Sequence, residues 1–428
     1  MTTPPAALYL GIDFGTSGVR AIAIDSQEQI AAEARAPLPA PIRTGRGAEQ
    51  APAHWWQALS EVLDAVAAQI DLQRISRLAV DGTSGTLLVA DQHGTPLGPA
   101  LMYNDGRSLA EAKRIAAVAP QHSAAHGATS ALAKLLHLNP GQEARYALHQ
   151  ADWIVGKLTG HFGISDENNC LKLGYDPSDK HWPAWLDKLG IRRQLLPRVV
   201  TPGTPIGPLT TSIQQRFGFS PKAQLVAGTT DSTAAFMATG ASQVGEAVTS
   251  LGSTLVMKVI ADRPIFSPRH GVYAQPLGEK WLVGGGSNSG GAVLLQHFSK
   301  AQMAQMTPEL NPHRPTGLDF YPLNTPGERF PVSDPQLPPR LSPKPEQDLV
   351  FFQAMLEGMA HIELQGYRLL AQLGAPYPDS VRSAGGGSHN PAWTTIRQRL
   401  LAVPFVSSAQ QEAAYGSALL AKRSCLDL

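Results

Sequence analysis

Apolar residues fall into short runs along this chain, and the period of those runs switches between strand and helix. The opening stretch LYLGIDFGTSGVRAIAID (8–25) sets two strand-like runs, LYLGID and VRAIAID, around the tight tetrad Gly15-Thr16-Ser17-Gly18. Such a tip reads either as an ordinary hairpin turn that needs glycine for its backbone angles or as a loop that holds a phosphate. HWWQALSEVLDAVAAQI (54–70) places Trp55, Leu59, Val62, Leu63, Val66 and Ile70 at helical spacing and predicts an amphipathic helix, with Trp55 and Trp56 in the core rather than on a cleft wall. ISRLAVDGTSGTLLVAD (75–91) predicts two strands forming a second hairpin. PGQEARYALHQADWIVGKLTG (140–160) reads as one long helix stopped by Gly160. QLVAGTTD (224–231) is a further strand that runs into helical composition at STAAFMATG.

The pattern then restarts. EAVTSLGSTLVMKVI (246–260) repeats the opening device, and GVYAQPLGEKWLVGG (271–285) predicts one more hairpin before a helix at SGGAVLLQHFS. Residues 312–345 hold ten prolines and read as an ordered surface segment without regular structure. A long helix over about 348–373, a strand at SVRSAGGGS and helices from about 391 and 412 complete the chain. Each half thus opens on strand, turn, strand and continues in βα alternation. This predicts a duplicated α/β architecture of mixed sheets covered by helices, with the ligand between the halves.

Bulk properties narrow the function. A chain of 428 residues suggests two domains, and 43% hydrophobic with 16% charged residues is a globular balance. A net charge of +1 gives no general electrostatic reason to expect nucleic acid or a membrane surface as partner. The two cysteines, Cys170 and Cys425, form no CxxC and suggest a reducing compartment. With the first strand beginning near Leu8 and no long apolar run, a soluble cytoplasmic protein is the expectation. The thirteen histidines include no HExxH, which argues against zinc.

Three glycine-and-hydroxyl turns carry the candidate chemistry: Asp13–Gly18, Asp81-Gly82-Thr83-Ser84-Gly85 and Leu251-Gly252-Ser253-Thr254. Two glycine clusters follow, Gly284-Gly285-Gly286-Ser287-Asn288 and Ala384-Gly385-Gly386-Gly387-Ser388-His389-Asn390. Glycine lets backbone N–H groups approach an anion, and hydroxyls add donors. GxxxxGK[ST], a GxGxxG after a strand and GxSxG are all missing, which removes the P-loop, dinucleotide-binding and serine-hydrolase readings.

DFGTS, GTTDS (228–232), SLGST (250–254) and AGGGSHN (384–390) together resemble the FGGY family of carbohydrate kinases. QADWIVGKLTG with SDENN (165–169) and Trp182, YNDGR (103–107) and EGMAHIELQGY (357–367) extend that resemblance from about residue 8 to residue 420, in the family's order. Within the family it is nearest to the short, xylulokinase-like D-ribulose kinases of cyanobacteria and plastids.

The resemblance implies two ribonuclease-H-like domains of the actin/sugar kinase/Hsp70 fold flanking one ATP/sugar cleft. The first would span 7–238, completed by the C-terminal helix 412–428, and the second 239–411. It implies ATP and Mg²⁺ as cofactors, with Asp13 on the metal and near the sugar. Gly15, Thr16, Ser17, Gly252, Ser253 and Thr254 would face the phosphates. Gly285, Gly286, Gly385, Gly386 and Asn390 would complete the nucleotide site. Asp231 would be the general base, although an aspartate opening a helix is also a favoured N-cap. Asp81 and Ser84 would face the sugar, where ribulose-type kinases carry Asp-x-Thr and xylulokinases tend to carry GQxHG; an ordinary turn is the other reading. Asp105 and Arg107 match a sugar-side motif or form a surface ion pair, and Lys134, Asp152 and Asn168 match family positions without a derivable role. The implied activity is phosphorylation of a ketopentose, D-ribulose first and D-xylulose second. A nucleotide-driven switch of the actin or Hsp70 kind is the more remote alternative.

Overall fold

The computed structural model describes residues 6–423. The chain divides into two compact units, one running to Ala238 and resuming at Glu412, the other spanning Thr239–Gln411. Among the described residues no helix is long and apolar enough to cross a membrane. Cys170 is buried and free, while Cys425 lies outside the described residues, as does the end of the expected C-terminal helix beyond 423.

The first unit is built on β1 (Leu8–Phe14), β2 (Gly18–Ile24), β3 (Ile30–Pro37), the helix α1 (Pro52–Ala67), β4 (Ile75–Gly82), α2 (Ala131–Leu138), β5 (Pro205–Pro208), β6 (Gln224–Val226) and α3 (Asp231–Ala238). Its main sheet runs β5-β6-β4-β1-β2-β3. β1 and β2 form the expected hairpin, β4 lies parallel to β1, and β6 lies parallel to β4. Pro52 stands at the start of α1, where its missing N–H costs nothing, and Trp55, Leu59, Val62 and Val66 are buried. Trp55 is a core residue whose indole donates to Gln50 Oε1 at 2.6 Å.

Two expectations fail here. The second hairpin does not form: Leu87–Ala90 leaves β4 and pairs with Tyr146–His149 in a separate sheet. The turn diverts the chain, with Thr83 Oγ1 bonded to Thr86 Oγ1 and to Gln150 Oε1 and with Gly85 at φ +90°. The long helix over 140–160 is likewise half strand. Tyr146–His149 is extended, and the helix begins at Gln150, where His149 and Asp152 form a capping box, and stops at Gly160 as expected.

The C-terminal helix Ala413–Lys422 packs on this first sheet. Two glycines allow backbone-to-backbone approach. A Cβ on Gly11 would lie 2.0 Å from Ala414 O, and one on Gly416 would lie 1.8 Å from Ala234 O.

The second unit repeats the plan with β7 (Glu246–Leu251), β8 (Leu255–Ala261), β9 (Tyr273–Leu277), β10 (Lys280–Ser287), α4 (Gly291–His297), α5 (Asp348–Gln372), β11 (Ser380–Ala384) and α6 (Pro391–Leu401). The sheet order is β9-β10-β8-β7-β11, with β7 parallel to β11. α5 supplies much of the core through Phe351, Phe352, Met355, Met359 and Tyr367. The proline-rich span 312–345 contains no helix or named strand.

Candidate active site

In the first unit, the C-terminal ends of three neighbouring parallel strands collect the carboxylates. Asp13 on β1 is the register partner of Asp81 on β4, and Gly82 bridges in parallel to Thr230, immediately before Asp231. Open α/β sheets bind ligands at this edge. Asp13 is 4% exposed and Asp81 is fully buried.

Asp81 accepts from Ser417 Oγ at 2.5 Å, a contact that the close seating of the C-terminal helix makes possible. Its Oδ1 receives no amide or hydroxyl donor among the described residues. Burial, then the Asp13 charge, pushes the Asp81 carboxyl well above the usual range, with the Asp231 charge adding to the rise. Burial also raises Asp13, opposed by its hydrogen bond to Asp81 and by Arg20, whose Nη1 donates to Asp13 Oδ2 at 3.2 Å. Two buried carboxylates side by side oppose each other's charge, and the rise is the larger at Asp81.

Asp231 opens α3, is half-buried, and accepts the Ser232 N–H at 2.7 Å. At the β1–β2 tip, Gly15 N–H donates to Gly18 O at 3.0 Å, leaving Thr16 half-buried and Ser17 exposed. The turn bearing Ser84 is braced by two lysines. Lys134 is completely buried, and its three N–H groups reach Gly85 O at 2.6 Å, Thr129 O at 2.8 Å and Tyr103 O at 3.4 Å. Burial and the neighbouring Lys172 push Lys134 down to about 7. Lys172 Nζ donates to Ser84 O at 3.2 Å. Neither the Lys134 anchor nor Ser417 was legible in the sequence.

Asp105 and Arg107 are not a surface pair. Asp105 is buried, accepts the Ala48 N–H at 2.7 Å, and bonds Arg107, which also reaches Glu49 at 2.6 Å. Asn168 Nδ2 donates to Thr229 Oγ1 at 3.0 Å, bracing the strand end that delivers Asp231. Asp152 serves the capping box with His149.

The second unit contains a cavity of about 740 Å³. Gly252 and Ser253 from the β7–β8 turn and Gly386 and Asn390 after β11 line it, and Leu294, Met303, Phe352, Leu356 and Trp393 form apolar walls. Its size lies in the range of small-molecule sites, about 300–1,000 Å³, and a flat aromatic ring suits such walls. Asn390 Oδ1 caps α6 by accepting the Trp393 N–H, while Nδ2 donates to Thr307 Oγ1 at 3.2 Å. Gly385 has φ +81° and sits against Leu251 O, a position that excludes a side chain. Thr254 follows Ser253 in the same turn without lining the cavity. Gly285 and Gly286 are not brought to this cavity. They lie inside β10, where a Cβ on Gly285 would stand 2.5 Å from the Phe330 ring.

Among the described residues, no three His, Cys, Asp or Glu side chains converge as a metal cage. A Mg²⁺ that travels with nucleotide phosphates keeps several waters and needs only one or two carboxylates. Asp13, with the unsatisfied Asp81 Oδ1 beside it, fits that smaller demand.

The N-terminal domain of the FGGY family of carbohydrate kinases matches residues 8–238, and the family's C-terminal domain matches 247–425. This chain belongs to the FGGY family of carbohydrate kinases. It is 24% identical over 415 residues to a xylulose kinase from Escherichia coli (strain K12), covering 90% of this chain and 83% of that one. A solved xyloylose kinase from Brucella ovis superposes with a TM-score of 0.88 at 24% identity, covering 98% of this chain and 90% of that one. A ligand-bound xylulose kinase from Lactobacillus acidophilus gives 0.85 at 18% identity, covering 97% and 89%. The architecture is therefore the two-domain α/β fold of the sugar kinases.

Proposed function

We propose that this carbohydrate kinase transfers the γ-phosphoryl group of ATP to a ketopentose, with D-ribulose as the preferred acceptor, and acts in the cytoplasm. The observation that carries the reading is the placement of Asp231 at the same sheet edge as the Asp13–Asp81 pair. Asp231 takes the proton of the acceptor hydroxyl, whose oxygen attacks the γ-phosphorus while ADP leaves. The 740 Å³ cavity of the second unit holds the nucleotide, its apolar walls taking the base and its glycine turns the phosphates. Asp13 holds the Mg²⁺, which supplies neutralising charge to the phosphates. Asp81, its carboxyl pushed up by burial and by the Asp13 charge, stands beside it.

Removing the metal carboxylate gives the first expected outcome. Asp13→Ala loses one charge-assisted contact, worth about 1.5–3 kcal/mol, so activity drops about tenfold or more and half-maximal rate needs more Mg²⁺. A magnesium titration that superimposes on the parent's would remove Asp13 from the metal.

The choice of acceptor rests on the Asp81-Gly82-Thr83 element. The Thr83 hydroxyl is spent on Gln150 and Thr86, so Ser84 is the hydroxyl of this turn left to read the sugar. A site that hydrogen-bonds sugar hydroxyls discriminates by as much as about 10⁴–10⁵ when one is misplaced. D-Ribulose is expected to be turned over at least about tenfold better than D-xylulose, glycerol or aldohexoses, well below that ceiling. Ser84→Ala raises the sugar KM more than it lowers kcat, because the contact is shared by ground and transition states. The relatives named as xylulose kinases favour D-xylulose as the second reading. Coupled ADP-release rates across a ketose and polyol panel decide between the two, and equal efficiency on both ketopentoses removes the D-ribulose preference.

A further inference from the structure

The proline-rich span 312–345 has no helix or named strand, yet it carries a buried acid, Glu328, only 3% exposed. Burying a carboxyl is costly unless its oxygens are satisfied, and here four donors reach them. Oε1 accepts the Asn288 N–H at 2.7 Å and the Arg329 N–H at 2.9 Å. Oε2 accepts from Ser287 Oγ at 2.5 Å and from Tyr321 Oη at 3.1 Å. The main chain around it is fixed as well. Glu328 exchanges both backbone bonds with Asp334, at 2.7 and 3.0 Å, and Gly327 O accepts from Asn288 Nδ2 at 3.0 Å.

What Glu328 holds is the turn from β10 into α4. Ser287 ends β10, and Ser289 N–H donates to Ser287 Oγ at 2.9 Å, so the serine hydroxyl relays the anchor into the middle of that turn. The same turn grips the Gly252-Ser253-Thr254 loop by three backbone bonds. Leu255 N–H donates to Ser289 O at 2.8 Å, Gly291 N–H to Gly252 O at 2.9 Å and Ala292 N–H to Ser253 O at 3.1 Å. Gly290 lies in the middle of the contact, where a Cβ would stand 2.6 Å from Thr254 Cα, so the two turns touch backbone to backbone.

These bonds fix which way the loop's peptide groups face. Gly252 O and Ser253 O are both spent on the start of α4. In a planar trans peptide the carbonyl and the following N–H point in opposite directions, so the Ser253 and Thr254 N–H groups point away from α4. Gly252 and Ser253 line the 740 Å³ cavity, and backbone N–H groups fixed in one direction are anion donors. We propose that Glu328 is a positioning residue for phosphate binding, which acts through Ser287 and the turn into α4 to hold the Gly252-Ser253-Thr254 loop, and so sets affinity for the phosphates of the nucleotide rather than for its base. The inference rests on the reading of this cavity as the nucleotide site.

The test is calorimetric titration of the full chain with ADP and, separately, with adenosine, which occupies the base side of the cavity without phosphates. The parent is expected to bind both, and ADP the tighter. Glu328→Leu strands the Asn288 N–H and the Ser287 hydroxyl. ADP binding then weakens about tenfold to a hundredfold, the worth of one hydrogen bond to a charged group, while adenosine binding stays within about threefold of the parent's. Glu328→Gln recovers most of the loss, because its amide oxygen still accepts the Asn288 N–H and its NH₂ can donate to the two hydroxyls. Ser287→Ala cuts only the relay to Ser289 and weakens ADP binding in the same sense to a lesser degree. It decides the matter should Glu328→Leu fail to fold. A merely structural anchor would lower both affinities together and leave their ratio at the parent's value. That unchanged ratio in either folded variant overturns the proposal. A parent that binds ADP no tighter than adenosine overturns the nucleotide reading of the cavity, and the role of Glu328 falls with it.

Discussion

Replacing Asp231 with asparagine is expected to lower kcat by about 10²–10⁴, the usual worth of general-base assistance. The substitution separates the two roles open to this residue. Asp231 Oδ1 accepts the Ser232 N–H at the start of α3, and an amide oxygen accepts that bond equally well. Asn and Asp are nearly equivalent as helix caps, so stability should stay within about 0.5 kcal/mol of the parent. An amide cannot take the proton of an attacking hydroxyl, so turnover fails while the fold stands. Nucleotide affinity should also be unchanged, because the proposed cavity lies in the other unit. Steady-state kinetics with a melting curve settles the matter: a near-normal kcat would reduce Asp231 to a cap.

Local devices were legible in the sequence where a local signal specified them. The β1–β2 and β7–β8 tips were readable because two apolar runs flank glycines and hydroxyls, a pattern that encodes its own turn. Asp231 was readable because strand, carboxylate and helix follow in order. Long-range pairing was not. YALH at 146–149 has the apolar count of a helix, and only the distant Leu87–Ala90 strand makes it extended. Lys134 sits in ALAKLLHL and looks like an ordinary helix residue. Its role depends on carbonyls of Gly85 and Tyr103, supplied by chain 49 and 31 residues away. The glycines of β10 misled for a related reason. Gly284–Gly286 has the composition of a phosphate loop, but Gly285 is demanded by the packing of Phe330 within a strand.

In the unit that carries the proposed nucleotide cavity, a buried ionic network gives the second large effect. Glu363 on α5 and Arg397 on α6 are 1% and 0% exposed and pair through Nε and Nη2 of one guanidinium edge, at 2.6 and 2.8 Å. Glu363 Oε1 also accepts from Thr249 Oγ1 at 2.5 Å, and Arg397 Nη1 donates to Ser383 Oγ at 2.7 Å. Thr249 lies on β7 just before the Gly252 turn, and Ser383 on β11 just before Gly385. The network therefore ties together the roots of both glycine turns that line the cavity. Arg397→Met leaves the Glu363 carboxylate buried without its cation, a loss of about 3–5 kcal/mol. For a unit of this size, about 2–4 °C is lost per kcal/mol, so its calorimetric transition should fall by roughly 6–20 °C. ADP affinity should fall with it, since the two turns lose their common support. Replacing both partners, as Arg397→Met with Glu363→Leu, removes the stranded charge and should recover part of the loss, but not all. The buried Thr249 hydroxyl loses its carboxylate acceptor and keeps only Tyr367 Oη, at 2.8 Å. A single variant that melts with the parent would show that the pair contributes specificity of packing rather than stability. A double variant less stable than Arg397→Met would show that the uncompensated carboxylate is not the source of the cost.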